Sequence, residues 1–192
     1  MADYNPARKE IRNAKRKLEE MKKSNNYDDF EQAWRDFTGY IGLSHKMMMR
    51  AVGERTEKFR NAFSEKNKLK SSDELLVYID QSRNSKEHLI QDLTKKVPAS
   101  ISYSSQPGVR RFHIDKMVIK NNMVTEYKGD PLVMTFNHET AAFLPIINRG
   151  NRYNVPKLHL GNDISRIDIP KAAELVISFY ESWIDETESK FP

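Results

Sequence analysis

The chain has 192 residues, 31% charged and 38% hydrophobic, with 9 Phe, 8 Tyr and 2 Trp, which is the aromatic content of a folding chain rather than a disordered one. It has no cysteine, which excludes disulfide scaffolds, thiolate metal sites and a cysteine nucleophile; no run nears the ~20 apolar residues of a membrane span, and no signal-peptide pattern opens it, so the cytoplasm is the expected compartment. The net charge of +5 is one-sided: residues 1–98 carry 21 Lys and Arg against 16 Asp and Glu, whereas residues 99–192 carry 11 of each, a distribution that suits a polyanionic partner or a solvated basic face.

Pro6 opens a charged stretch, Arg8 to Lys23, whose apolar residues Ile11, Leu18 and Met21 are sparse, so a surface helix is expected. From Tyr27, Phe30, Ala33, Trp34, Phe37, Tyr40 and Ile41 recur at three- and four-residue steps and predict a core helix, with Gly39 and Gly42 as possible breaks and Met47 to Val52 as its continuation. Phe59 and Phe63 mark another apolar face. Ser71-Ser72-Asp73-Glu74 has the composition of a cap ahead of a helix expected to run to about Leu93.

After Val97-Pro98 the pattern changes to strands. Ile101 to Ser104, Val109 to Lys120, Met123 to Tyr127 and Leu132 to Phe136 are short and rich in β-branched and aromatic residues, and Asn121-Asn122 has the chemistry of a hairpin turn. Pro170 then begins a helix in which Leu175, Val176, Phe179, Tyr180, Trp183 and Ile184 form a broad apolar stripe, expected to pack on the sheet. The fold class that follows is α+β, with a helical domain over residues 1–98 and a small antiparallel β-sheet with a C-terminal helix over 99–192.

The segment with chemistry is Ser82-Arg83-Asn84-Ser85-Lys86-Glu87-His88. Leu76, Ile79, Arg83, Glu87 and Ile90 fall on one helical seam, so Arg83 lies in line with apolar residues and needs a partner: Glu87 one turn on, or an anion from outside. Arg83 and His88 are separated by about 140° around one helix, so two copies of the helix facing each other would aim both groups at one atom better than one copy. A looser match, Arg152 followed by His159, contains Pro156, has Tyr153 after the Arg and lies outside the helical half; it is set aside.

An Arg, a polar residue, three variable residues and a His late in a helical domain resembles the motif of the HEPN superfamily, with Arg83, Asn84 and His88 at its three fixed positions. The likeness reaches no further than residues 27–98. The longer wording around Arg83, with Asn148-Arg149-Gly150 and His159-Leu160-Gly161, also looks like that of uncharacterised bacterial proteins of the same two-part layout. The resemblance implies an N-terminal HEPN-like helical bundle, a homodimer with motifs facing across a cleft, and metal-independent endoribonuclease activity in a toxin or phage-defence setting, with an antitoxin or defence partner. In that reading His88 is the general base or acid and Arg83 holds the phosphate oxygens. Asn84 orients the imidazole or binds ribose, Lys86 contacts a flanking phosphate, and Glu87 either repels substrate or holds Arg83 in place.

Two other classes stay open: a non-catalytic RNA- or protein-binding module with the same helical fold, and a small-molecule or nucleotide-binding protein that uses the sheet. No metal or other cofactor is expected. His45 beside Met47-Met48-Met49 reads as core filling rather than a metal or haem site, and His113, His138 and His159 have no metal-ligand spacing. Arg149, Arg152, Tyr153 and His159 cluster around two glycines, which reads as turn chemistry ahead of a contact with nucleic acid or a partner protomer.

Overall fold

A computed structural model describes residues 2–88, 92–109, 111–121, 123–137 and 139–192, with the backbone alone for residues 85–88. Five helices come first: α1 (Asn5–Lys23), α2 (Tyr27–Val52), α3 (Thr56–Ala62), α4 (Ser64–Ser72) and α5 (Glu74–His88). Ten short strands follow among the described residues, and α6 (Ile169–Lys190) closes the chain.

Why the helices stand where they do is legible residue by residue. Asn26 caps α2 by accepting the Asp29 N–H at 2.9 Å, and α2 passes both Gly39 and Gly42 without a break before Gly53 ends it with a positive φ of 60°. Along α1, Ala7, Ile11, Ala14, Leu18 and Met21 are buried at alternating steps of four and three. The helix is therefore more embedded than its sparse large apolar residues predict, because two alanines complete the stripe that packs on α2. Asp73 caps α5, its Oδ1 accepting the Leu76 N–H at 3.0 Å. Leu93, expected at the end of that helix, instead lies in the approach to β1 (Thr94–Val97), its carbonyl accepting the Leu144 N–H.

The chain divides into two compact units, Met1–Lys96 with Ala141–Pro192, and Val97–Thr140. This differs from a division at residue 98. The reason is α6: its stripe of Ala173, Val176, Ile177, Tyr180, Trp183 and Ile184 packs against α1, α2 and α5, and Phe59 of α3 stacks on Trp183 at 6.1 Å. A stripe that broad and aromatic finds its main surface in the helical core rather than on the expected sheet.

A single sheet is likewise replaced by two-stranded ladders: among the described residues β1 pairs with β6 (Thr140–Phe143), β2 (Ser100–Ser105) with β5 (Leu132–Asn137), β3 (Ile114–Lys120) with β4 (Met123–Gly129), β7 (Ile146–Asn148) with β8 (Asn151–Tyr153), and β9 (Leu158–His159) with β10 (Asn162–Asp163). The last four are antiparallel. Asn121, at φ 51°, makes the turn between β3 and β4 that its side chain suits. In the Val97–Thr140 unit no described residue is buried. Its β2–β5 ladder has Ile101 opposite Phe136 and Tyr103 opposite Met134 on one side, and Ser100 opposite Asn137, Ser102 opposite Thr135 and Ser104 opposite Val133 on the other. Among the described residues no helix is long and apolar enough to cross a membrane.

Candidate functional site

Four helices bring the chemistry together around Arg83. On α5, Leu76 and Ile79 are buried and Arg83 follows them on the same seam, about a third exposed. Its side chain crosses to α2 and lies over Gly42: a Cβ built there would stand 2.4 Å from Nη1 and 2.5 Å from Cδ. No other residue type leaves room for this crossing, so Gly42 is the seat of the guanidinium.

The described partners of Arg83 are Asn84 and Asp80. Nε and Nη2 both donate to Asn84 Oδ1, at 3.2 and 2.8 Å, and Nη2 is 3.6 Å from Asp80 Oδ1. The same Asp80 oxygen is 3.8 Å from Lys70 Nζ on α4. Asn84 Oδ1 thus accepts from the neighbouring guanidinium on its own helix. The side chains of Lys86, Glu87 and His88 fall outside the described residues.

Arg83 and Asp80 border a cavity of about 360 Å³ shared with Lys46, Lys70, His45 and Tyr180. Among the described residues three cations against one carboxylate give it a positive balance. His45 is a residue that sequence reasoning left in the core. Its Nε2 is closed to solvent and has no hydrogen-bond partner, and its ring lies 5.2 Å from that of Trp183. Burial pulls its pKa down to about 4, the positive charges of Lys70 and Arg83 add to the effect, and Asp80 opposes it. The imidazole is thus neutral at pH 7. Burial also raises the Tyr180 hydroxyl above its ordinary pKa. The only trace of this pairing in the sequence is the three-residue step from Gly42 to His45, which places both on one face of α2; nothing in the sequence says that α5 lies against that face.

The loop cluster has a different role. His159 is buried and its Nδ1 is 2.9 Å from Asp73 Oδ1, while the Leu160 N–H reaches Asp73 Oδ2 at 2.7 Å. Glu74 Oε2 accepts the N–H groups of Lys157 and Leu158 at 2.7 and 3.2 Å. The two acids that begin α5 thus hold the β9 segment, and Asn148 donates to Gln81 Oε1 at 2.7 Å further along the same helix. Met48 is buried and Met47 and Met49 pack on the core. Among the described residues no group of three His, Asp or Glu side chains could hold a metal ion. No family model, no curated protein and no solved structure matches the chain.

Proposed function

We propose that this protein is a metal-independent endoribonuclease with a HEPN-like helical domain, acting as a homodimer in a toxin or phage-defence setting. The observation that carries the reading is Arg83, seated over Gly42 at the mouth of a cavity where it and two lysines face one carboxylate. A planar fork with several donors suits the non-bridging oxygens of a phosphodiester, whose charge grows in the transition state. RNA supplies its own nucleophile. The 2′-OH attacks the adjacent phosphorus, the bond to O5′ breaks, and His88, five residues beyond Arg83 on α5, takes the 2′ proton or returns one to the leaving oxygen. The products are a 2′,3′-cyclic phosphate and a 5′-hydroxyl. A second protomer supplies the facing copy of the motif.

The fork between Arg83 and Asn84 favours a second reading, an RNA-binding module that does not cut, because it engages two of the guanidinium nitrogens. The experiment is incubation of a mixed RNA pool with purified protein in EDTA, alongside Arg83→Ala and His88→Ala. Cleavage by the wild type alone, with cyclic-phosphate ends, supports the nuclease. RNA retained by the wild type but uncut in every sample supports the binding module, and metal-dependent or mutation-insensitive cleavage overturns the mechanism.

A further inference from the structure

A second cavity, of about 730 Å³, opens between the α4–α5 junction and the segment that follows β7, within the Met1–Lys96 and Ala141–Pro192 unit. Its cations are Arg152 and Lys157. Among the described residues neither has an ion pair; the side-chain bond of Arg152 there runs from Nε to Asn154 Oδ1 at 3.4 Å, which leaves the outer edge of its guanidinium without a described partner. Glu74 is the acid of the cavity, and its Oε2 is already engaged by the backbone N–H groups of Lys157 and Leu158, which fixes the loop that presents Lys157. Beside the cations stand Tyr153, half-buried and set by its pairing with Ile146 in the β7–β8 ladder, and the apolar surface of Val77 and Pro145. Ser71 and Ser72, whose hydroxyls donate to carbonyls of α4, complete the lining.

This combination defines the ligand. A planar fork beside an ammonium selects a phosphate or a similar oxyanion over a neutral group, because its paired donors match two oxygens at once. An aromatic face with an apolar floor selects a flat ring. The volume lies in the ordinary range of roughly 300–1,000 Å³ for small-molecule sites and exceeds what an inorganic anion needs. We propose that this cavity is a binding site for a nucleoside monophosphate, either free or as one unit of a single-stranded RNA, with the phosphate on Arg152 and Lys157 and the base against Tyr153. The inference does not depend on the cleavage reading, which rests on Arg83.

Calorimetric titration of the full chain with adenosine 5′-monophosphate, adenosine, and a six-nucleotide oligoribonucleotide tests it. The mononucleotide is expected to bind at least tenfold more tightly than adenosine. Arg152→Gln and Lys157→Gln should each weaken it by about tenfold, and Tyr153→Ala should weaken adenosine and its monophosphate alike. Arg83→Ala should leave mononucleotide binding unchanged even where it abolishes RNA cleavage. An oligonucleotide that binds through Arg152 while the mononucleotide does not also supports the site and names RNA as its source. No binding of either, or binding that neither Arg152→Gln nor Lys157→Gln weakens, overturns the proposal.

Discussion

Gly42→Ala separates the function of Arg83 from the stability of the fold. Gly42 sits within α2 at an ordinary helical backbone, so an alanine there gains about 1 kcal/mol of helix propensity. Its Cβ, however, would stand 2.4 Å from Nη1 and 2.5 Å from Cδ of Arg83, where ordinary contact begins near 3.4 Å. The guanidinium must leave, losing its fork to Asn84 and its approach to Asp80. Those contacts are partly exposed to water and together are worth about 1 kcal/mol. The two effects oppose, so unfolding stability should stay within about 1 kcal/mol of the wild type. A displaced guanidinium, by contrast, forfeits a charge-assisted bond to phosphate worth about 1.5–3 kcal/mol, or roughly 10- to 150-fold in RNA affinity. Fluorescence anisotropy with labelled single-stranded RNA and thermal unfolding measure the two quantities on the same samples. Gly39→Ala is the internal control: its Cβ meets nothing within 4 Å, so it should stabilise α2 and leave RNA binding alone. If Gly42→Ala binds and processes RNA like the wild type, Arg83 does not act from this seat and the site is misassigned.

Three further substitutions test how the site and its frame are held. His45 has a folded pKa of about 4 against an ordinary 6.5, so it contributes stability that is present above the unfolded value and is lost as pH falls from 6.5 through 4. The loss approaches about 3 kcal/mol at pH 4, and His45→Phe should reduce it; urea midpoints at pH 7 and pH 4.5 that shift equally in both proteins would show that the ring is not held neutral. Asp73→Ala removes the acceptor for the Leu76 and Leu160 N–H groups and the partner of buried His159, and should cost about 2–4 kcal/mol in chemical denaturation. A loss under 1 kcal/mol would mean that the β9 segment is held by other contacts. Asp168→Ala deletes the cap that accepts the Lys171 N–H at 2.8 Å and should cost about 1 kcal/mol, read as a lower thermal midpoint.

Local rules carried much of the architecture. The apolar face of α2, the cap at Asp73 and the Asn121 turn depend on residues within a few positions of one another, and each is present where the sequence places it. What sequence could not supply is which surface each stripe meets. The stripe of α6 would satisfy a sheet or a bundle equally well by periodicity alone. It meets the helices because Trp183 finds Phe59 and His45 there, partners well over a hundred residues away in the chain. The same limit hid half of the site. Arg83 was visible as a cation on an apolar seam, but its seat is a glycine on another helix, and its described partners include Asp80, one turn before it. His45 had the sequence context of a core residue, among methionines. Only the tertiary placement of Lys70 on α4 and Arg83 on α5 gives it cations from other helices for neighbours.

The two ion pairs of Asp80 bear on what the cleft can hold. At 3.6 Å from Arg83 Nη2 and 3.8 Å from Lys70 Nζ, its oxygen lies beyond the ~2.7–3.2 Å of a well-formed hydrogen bond, so it attracts both cations while saturating neither. Among the described residues Arg83 Nη1 and the Lys70 ammonium keep donors to give, and Lys46 on the exposed side of α2 has no acidic partner. Without Asp80, three cations in one half-buried cavity would repel one another; with a shorter, fully bonded carboxylate they would already be occupied. On the function proposed above, an entering phosphate would meet cations held together by one carboxylate, and the neutral His45 would add no positive charge to tighten the grip on product. That balance suits a site that binds one phosphate of a longer strand and then lets it go.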